Sequence, residues 1–306
     1  MTTVAIVGTG RMGGAMAVAL AHAGASLVLQ NRTRDRAEVL AREIGSATTR
    51  VVDTPAEAAA AVDVAITMLT DDAAVRSAFG GPDGLAAGAR PGTVLVDMST
   101  VLPDTIRSVE AEVRARGAGL LDAPVSGSVH LAESGALTLM VGGTADDLEV
   151  ARPALEALAK TIFHLGSLGS GASMKLAVNT LIYGLNGALA EGLVLAEAAG
   201  IDRALAYDVI AASAAGAPYV GYKRAAFVEP EATPAVFGLG LAEKDLGLIT
   251  AFAAELGVPM PQAATNLELV RAASTDGRGD RDFSTVAEEL RARRRTPATT
   301  SAATEA

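Results

Sequence analysis

The 306-residue chain predicts an α/β fold: a doubly wound parallel sheet, then a long helix leading into an all-α C-terminal domain. Three observations carry this. Short apolar runs alternate with helical patterns through the first half, as doubly buried parallel strands and their crossover helices do. A glycine-rich turn closes the first of these strands. Beyond residue 166 the strand patterns stop and helical periodicity takes over.

The elements follow in order. "VAIVG" is a continuous apolar run ending in glycine, which suits a buried parallel strand. The helix "GGAMAVALAHAG", the strand "SLVLQN" and the helix "DRAEVLAREIG" come next. Further strands read as "VDVAITML", "TVLVDMS", "GLLDAPV", "ALTLMVGG" and "TIFHLG", with helices "PDTIRSVEAEVRARG" and "DDLEVARPALEALAK" among them. Right-handed crossovers are expected for such alternation. Helices are expected at 170–199, about 202–215, 238–256, 261–275 and 283–294. This gives a nucleotide-binding domain over 1–166 and a helical domain over 167–295 that includes the linking helix 170–199. The tail 296–306, "TPATTSAATEA", lacks apolar period and is expected to be disordered.

Half the residues are apolar and a fifth are charged, a globular composition. A net charge of −10 argues against nucleic-acid or anionic-membrane surfaces. The absence of cysteine excludes disulfides, thiolate zinc sites and a cysteine nucleophile. His22, His130 and His164 make no metal-ligand spacing, so metal-independent chemistry is expected. The strand pattern begins at residue 2 and reads as structure rather than as a signal segment, so a cytoplasmic protein is expected. The 172–199 stretch is the one membrane candidate. Its Asn179, Asn186, Glu191 and Glu197 favour a core helix instead.

"GTGRMG" supplies Gly8, Gly10 and Gly13 in G-x-G-x-x-G spacing, between a strand and a helix, the context of a Rossmann dinucleotide site. Gly8 makes the turn, Gly10 admits a pyrophosphate, Gly13 lets helix pack on strand, and Arg11 and Met12 complete the loop. At the end of the second strand an NAD-preferring site carries a carboxylate for the ribose hydroxyls. Here stand Asn31, Arg32 and Thr33. Arg32 can pair with a 2′-phosphate, so NADP(H) is preferred over NAD(H).

The chain has four lysines, and Lys175 opens an apolar helix within "GSGASMKLAVN". Lys175, Asn179, Tyr183 and Asn186 share one face. Spacing alone fits an interface hydrogen-bond stripe or a snorkelling lysine as well as it fits a catalytic group. Reduction of a carbonyl by hydride needs a proton on the oxygen, and a partly desolvated lysine is suited to deliver it. Asn179 could hold the substrate oxygen or orient the ammonium.

"GTGRMGGAMAVALAHAG", "DAPVSGSVHLAESGALTLMVGG", "GSGASMKLAVN" and "LAEKDLGL" together resemble the β-hydroxyacid dehydrogenase family from residue 3 to about 292. That family includes 3-hydroxyisobutyrate dehydrogenase, tartronate semialdehyde reductase and glyoxylate/succinic semialdehyde reductases. The resemblance implies a catalytic acid/base at Lys175 with Asn179 beside it, and a loop for the substrate carboxylate at Ser126, Gly127 and Ser128. It also implies cofactor contacts from Met68, Leu69, Thr100 and Lys244, the last followed by Asp245. The "NRT" run resembles the NADPH-preferring semialdehyde reductases. Two departures stand out: Val178 where a second asparagine is common, and "SGS" where "SGG" is. His130, two residues after the loop, reads as an exposed side chain.

The resulting expectation is an NADP(H)-dependent oxidoreductase interconverting a small β-hydroxy acid and its semialdehyde or keto acid. The apolar helix suggests a homodimer or homotetramer. An imine reductase-like enzyme is the first alternative, disfavoured because an aspartate or tyrosine commonly stands at the Lys175 position there. A non-catalytic NADP-binding protein of the same fold is the second. 6-Phosphogluconate dehydrogenase has a much larger C-terminal domain.

Overall fold

The computed structural model describes residues 2–275 and 277–294. The chain divides into two compact units, Met1–Val178 and Asn179–Ala306.

In the first unit six strands form one parallel sheet: β1 (Thr3–Val7), β2 (Ser26–Gln30), β3 (Thr49–Val51), β4 (Val64–Thr67), β5 (Val94–Asp97) and β6 (Gly119–Asp122). Their spatial order is β3-β2-β1-β4-β5-β6, the order of a Rossmann sheet. Period-two alternation makes both faces apolar. Val4, Ile6, Leu27, Leu29, Val64 and Ile66 point to one side. There they meet helices α1 (Arg11–His22) and α2 (Arg34–Ile44). Ala5, Val7, Val28, Ala65 and Leu95 point to the other. That side is covered by α3 (Pro55–Ala60), α4 (Asp72–Phe79), α5 (Leu85–Gly88) and α6 (Pro103–Arg114).

The later strands depart from the single sheet expected. "GLLDAPV" is broken after Asp122, and β7 (Val125–Ser126), β8 (Leu137–Val141) and β9 (Ala159–His164) form a separate three-stranded sheet. β7 is antiparallel to β8, and β8 is parallel to β9. Pro124 is the physical reason, because it offers no N–H to a ladder. Its carbonyl instead accepts from Met140 N–H at 3.1 Å. Helices α7 (Val129–Glu133) and α8 (Ala145–Glu156) join the first apolar side through Ala132, Leu148 and Leu155.

Helix α9 (Ser170–Ala198) is long and apolar enough to cross a membrane by composition. The division between the units falls inside it. In the second unit follow α10 (Arg203–Ala212), α11 (Pro218–Val228), α12 (Leu239–Glu255), α13 (Pro261–Ala273), a 3₁₀ turn at Phe283–Thr285 and α14 (Val286–Arg293). No strand occurs in this unit among the described residues. Two polar groups of α9 are bonded inside the unit: Asn186 accepts from the Tyr219 hydroxyl at 2.6 Å, and Glu197 accepts from Arg291. α11, which starts on Pro218 and mixes Lys223 and Arg224 with apolar residues, lies outside the helices expected from the sequence, as do α3, α4, α5 and α7, each too short to show a helical period. The tail 296–306 lies outside the described residues.

Two buried charges are structural. Asp97, 1% exposed at the end of β5, accepts from the hydroxyls of Thr67 (2.6 Å) and Ser99 (2.7 Å). Burial pushes its carboxyl from the ordinary 3.8 up to about 6, against the pull of those hydrogen bonds. In the second unit Lys223, 2% exposed, lies 2.7 and 2.9 Å from the two oxygens of Asp282. Asp282 also accepts from the N–H groups of Val236, Phe237 and Ser284, so its charge is fully partnered.

Two outcomes are expected. A carboxyl raised on folding holds its proton more tightly in the folded chain, so its contribution favours folding at low pH and is lost as pH rises from about 4 to 6. Asp97→Asn should therefore gain on the native chain by about 2–3 kcal/mol between pH 4 and 7, read from urea unfolding at each pH. Lys223→Met strands the Asp282 charge and should lower unfolding free energy by about 3–5 kcal/mol. A loss below about 1 kcal/mol would contradict the structural role.

Candidate functional site

Because β1, β2, β4, β5 and β6 are parallel, the segments after them emerge at one edge of the sheet. The first four carry, in turn, Gly8–Gly13, Asn31–Thr33, Met68–Leu69 and Thr100, so sequence-predicted residues far apart in the chain share the carboxyl edge, where α/β sheets receive ligands. Ser126–Ser128 stand instead at the end of β7, in the second sheet, beyond the break after Asp122.

The glycine loop shows which of its glycines serve the fold. Gly8 has φ +99° and a Cβ there would lie 2.4 Å from the Met68 carbonyl; a Cβ on Gly13 would lie 2.0 Å from the Gly8 carbonyl. Gly10 is different: a Cβ there would meet nothing within 4 Å. Internal packing accounts for Gly8 and Gly13 but leaves Gly10 unexplained. Gly10 opens α1 without a side-chain cap, and no acidic residue occupies the first turn, so the helix start offers unneutralised N–H groups. Beside it the buried Thr9 hydroxyl has no hydrogen-bond partner. An orphaned hydroxyl, open space over Gly10 and a helix start without a side-chain cap fit a dinucleotide pyrophosphate. Arg11 is exposed and Met12 half-buried in this loop.

Asn31 has a fold role that the sequence did not disclose. Its carbonyl oxygen accepts from Thr9 N–H at 3.1 Å and its amide donates to the Thr33 carbonyl at 2.9 Å, so it clamps the glycine loop to the loop after β2. Arg32 and Thr33 are exposed. Arg34 pairs with Glu38 and Asp53. No ion pair involves Arg32 or Arg36 among the described residues. With Thr9, Gly10, Arg11 and Asp35, Arg36 lines a cavity of about 660 Å³. Leu69 N–H donates to Ser99 Oγ at 2.9 Å, and Ser99 in turn donates to Asp97. The buried Asp97 therefore sets the position of the Met68–Leu69 loop. Thr100 follows, half-buried.

Asp122 is the group that ties α9 to this edge. Its two oxygens accept from Gly169 N–H and Ala172 N–H, each at 2.7 Å. Burial raises its carboxyl above the usual aspartate range, and those donors oppose the rise. The small residues of "GSGAS" are explained here: a Cβ on Gly171 would lie 2.1 Å from the Met140 carbonyl and 2.8 Å from that of Asp122. Only glycine lets the helix start lie so close to β6 and β8. Lys175 stands three residues after Ala172, half-buried. In the sequence the one signal for this role is a lone carboxylate ending the apolar run of "GLLDAPV".

The substrate-loop candidates differ among themselves. Ser126 is half-buried and Gly127 is exposed with φ +144°. Ser128 caps α7, its hydroxyl accepting from Leu131 N–H. His130 is exposed, and His164 Nε2 lies 2.8 Å from the Gly143 carbonyl, a bond within the fold.

In the second unit Asn179, 6% exposed, donates to Asp245 Oδ2 at 2.9 Å. Tyr183 donates to the same oxygen at 2.6 Å, and Lys244 Nζ lies 2.6 Å from Oδ1. The polar stripe of α9 is thus held at Asn179 and Tyr183 by one buried carboxylate.

Comparison with known proteins agrees with this organisation. The family model of the NAD binding domain of 6-phosphogluconate dehydrogenase matches residues 3–166. The model for the NAD-binding region of NADP-dependent 3-hydroxyisobutyrate dehydrogenase matches 169–290. Glyoxylate/succinic semialdehyde reductase 2 of Arabidopsis thaliana is 32% identical over 95% of this chain and 80% of its own. The 3-sulfolactaldehyde reductase of Escherichia coli is 33% identical over 95% of this chain and 96% of its own. The crystal structure of 3-hydroxyisobutyrate dehydrogenase from Salmonella typhimurium superposes with a TM-score of 0.85, at 29% identity, over 94% of this chain and 99% of the other. With both units matched in order and a dinucleotide loop intact, the chain belongs to the β-hydroxyacid dehydrogenase family of NAD(P)-binding oxidoreductases.

Proposed function

We propose that the protein interconverts a small hydroxy acid and its semialdehyde or keto acid with NADP(H), using Lys175 as general acid and base. The observation that carries this reading is the anchoring of α9. Asp122 fixes the helix start at the sheet edge that also carries the glycine loop, and Lys175 stands one turn beyond the anchored N–H groups. The relatives' names point the same way, since glyoxylate, succinic semialdehyde, 3-sulfolactaldehyde and 3-hydroxyisobutyrate are all small acids.

When bound, the nicotinamide cofactor supplies the hydride. Lys175 donates a proton to the carbonyl oxygen as reduction proceeds, and in oxidation the neutral amine takes the proton back. Asn179, one helical turn on, holds the reacting oxygen. For the substrate carboxylate, the hydroxyls of Ser126 and Ser128 and the N–H groups of Gly127 and Ser128 are the available donors, since the Ser128 oxygen accepts from Leu131 N–H and keeps its own hydrogen to give. Preference for NADP(H) is supported by Arg32, exposed at the end of β2 with no ion pair among the described residues, whereas Arg34 is neutralised by Glu38 and Asp53. Met174, Leu181, Ala188 and Leu195 are exposed at steps of seven along α9, a seam suited to a second copy in a homodimer.

Two measurements test the reading. Lys175→Ala should lower kcat for reduction of small semialdehyde acids by about a hundredfold or more, while the NADPH dissociation constant stays within about threefold. Undiminished turnover would overturn the mechanism. Arg32→Ala should raise the KM for NADPH about tenfold and leave that for NADH nearly unchanged. An equal rise for both cofactors would contradict recognition of a 2′-phosphate.

A further inference from the structure

We propose that Tyr183 is a positioning residue: together with Asn179 it holds the Asp245 carboxylate, and this fixes which end of the Asn179 amide is presented to substrate. The proposal rests on the catalytic reading of Lys175 and Asn179 given above.

The geometry is specific. Asp245 is 3% exposed and Tyr183 is 2% exposed. The phenol donates to Asp245 Oδ2 at 2.6 Å and the Asn179 amide nitrogen donates to the same atom at 2.9 Å. Asn179 and Tyr183 are four residues apart on α9, so both reach one acceptor from one helix face. The Tyr183 ring is fixed edge-on against Phe283, centroids 5.2 Å apart at 75°, and tilted against Phe237 at 6.4 Å. The phenol therefore has little freedom to seek another acceptor. Burial first, and the adjacent carboxylate second, push its pKa well above the ordinary tyrosine value, so it remains a donor at working pH.

The chemical consequence follows from the donor and acceptor inventory. A carboxylate accepts and cannot donate, so the NH₂ end of the Asn179 amide must face Asp245 and the carbonyl end must turn away from it. Asn179 then turns its carbonyl oxygen away from Asp245, while the second N–H of the same amide, aimed by the first, remains to hold the reacting oxygen. On the other carboxylate oxygen Lys244 lies at 2.6 Å. Without the phenol, Oδ2 keeps the Asn179 amide but loses the donor that fixes the carboxylate's rotation, so the carboxylate and the amide bonded to it turn more freely.

The test is Tyr183→Phe, which keeps the ring between Phe237 and Phe283 and removes one oxygen. The first readout needs no turnover: the side-chain amide resonance of Asn179 in ¹⁵N-labelled protein, assigned by its loss in Asn179→Ala. Solvent exchange of that amide should quicken about tenfold or more in Tyr183→Phe, with the backbone spectrum otherwise kept; unchanged exchange would overturn the proposal. The second is kinetic. Oxidation of the hydroxy acid should lose about tenfold in kcat, with the KM for cofactor within about twofold, and Tyr183→Phe should cost nothing further in an Asn179→Ala background. A released amide with unaltered kcat, or equal losses in both backgrounds, would refute a positioning role. Should Lys175→Ala prove fully active, the catalytic reading fails, and the exchange measurement still decides whether Tyr183 orients Asn179.

Discussion

A single buried carboxylate at the end of the last Rossmann strand holds the head of a 29-residue helix. Helix starts leave N–H groups without intrahelical partners, and here a side chain from another element satisfies two of them. The bond is charge-assisted and desolvated, which makes it directional. It also fixes the rotation of α9, because Gly169 and Ala172 are held by different oxygens. Lys175 inherits that rotation. The glycines around Asp122 are the counterpart of the same constraint, since a bulkier residue at Gly171 would push the helix away from the strand that anchors it.

Much of the first unit was legible because its signals are local. Continuous apolar runs mark doubly buried strands, and the glycine spacing needs only six consecutive residues. The split of "GLLDAPV" could have been read from Pro124, whose missing N–H ends a ladder, but the partner exchange from β6 to β8 could not. The site was legible in part for a similar reason. Spacing placed Lys175, Asn179, Tyr183 and Asn186 on one face, yet what satisfies them lies far along the chain: Asp245 is 66 residues from Asn179 and 62 from Tyr183. Asn31 shows the limit from the other side. Its position suggested a ligand contact, while its side chain binds two loops of its own fold together.

The electrostatics reconcile an acidic chain with an anionic cofactor. Net charge of −10 governs the long-range field, but recognition depends on local groups. At the carboxyl edge the uncapped start of α1 and the exposed Arg32 are the groups available for this. Two carboxylates at this edge, Asp97 and Asp122, are buried and bonded to hydroxyls or backbone N–H groups, so these two shape the loops rather than repel a ligand.

The central claim is that this edge carries hydride transfer to a small acid's carbonyl carbon. The most direct measurement is reduction of glyoxylate and succinic semialdehyde with NADPH deuterated at both C4 positions, in ordinary water, with the product analysed by mass spectrometry. One deuterium on the carbinol carbon of each product molecule is the expected result. Cofactor consumption without label in the product, or no consumption with any small semialdehyde or keto acid, would contradict it.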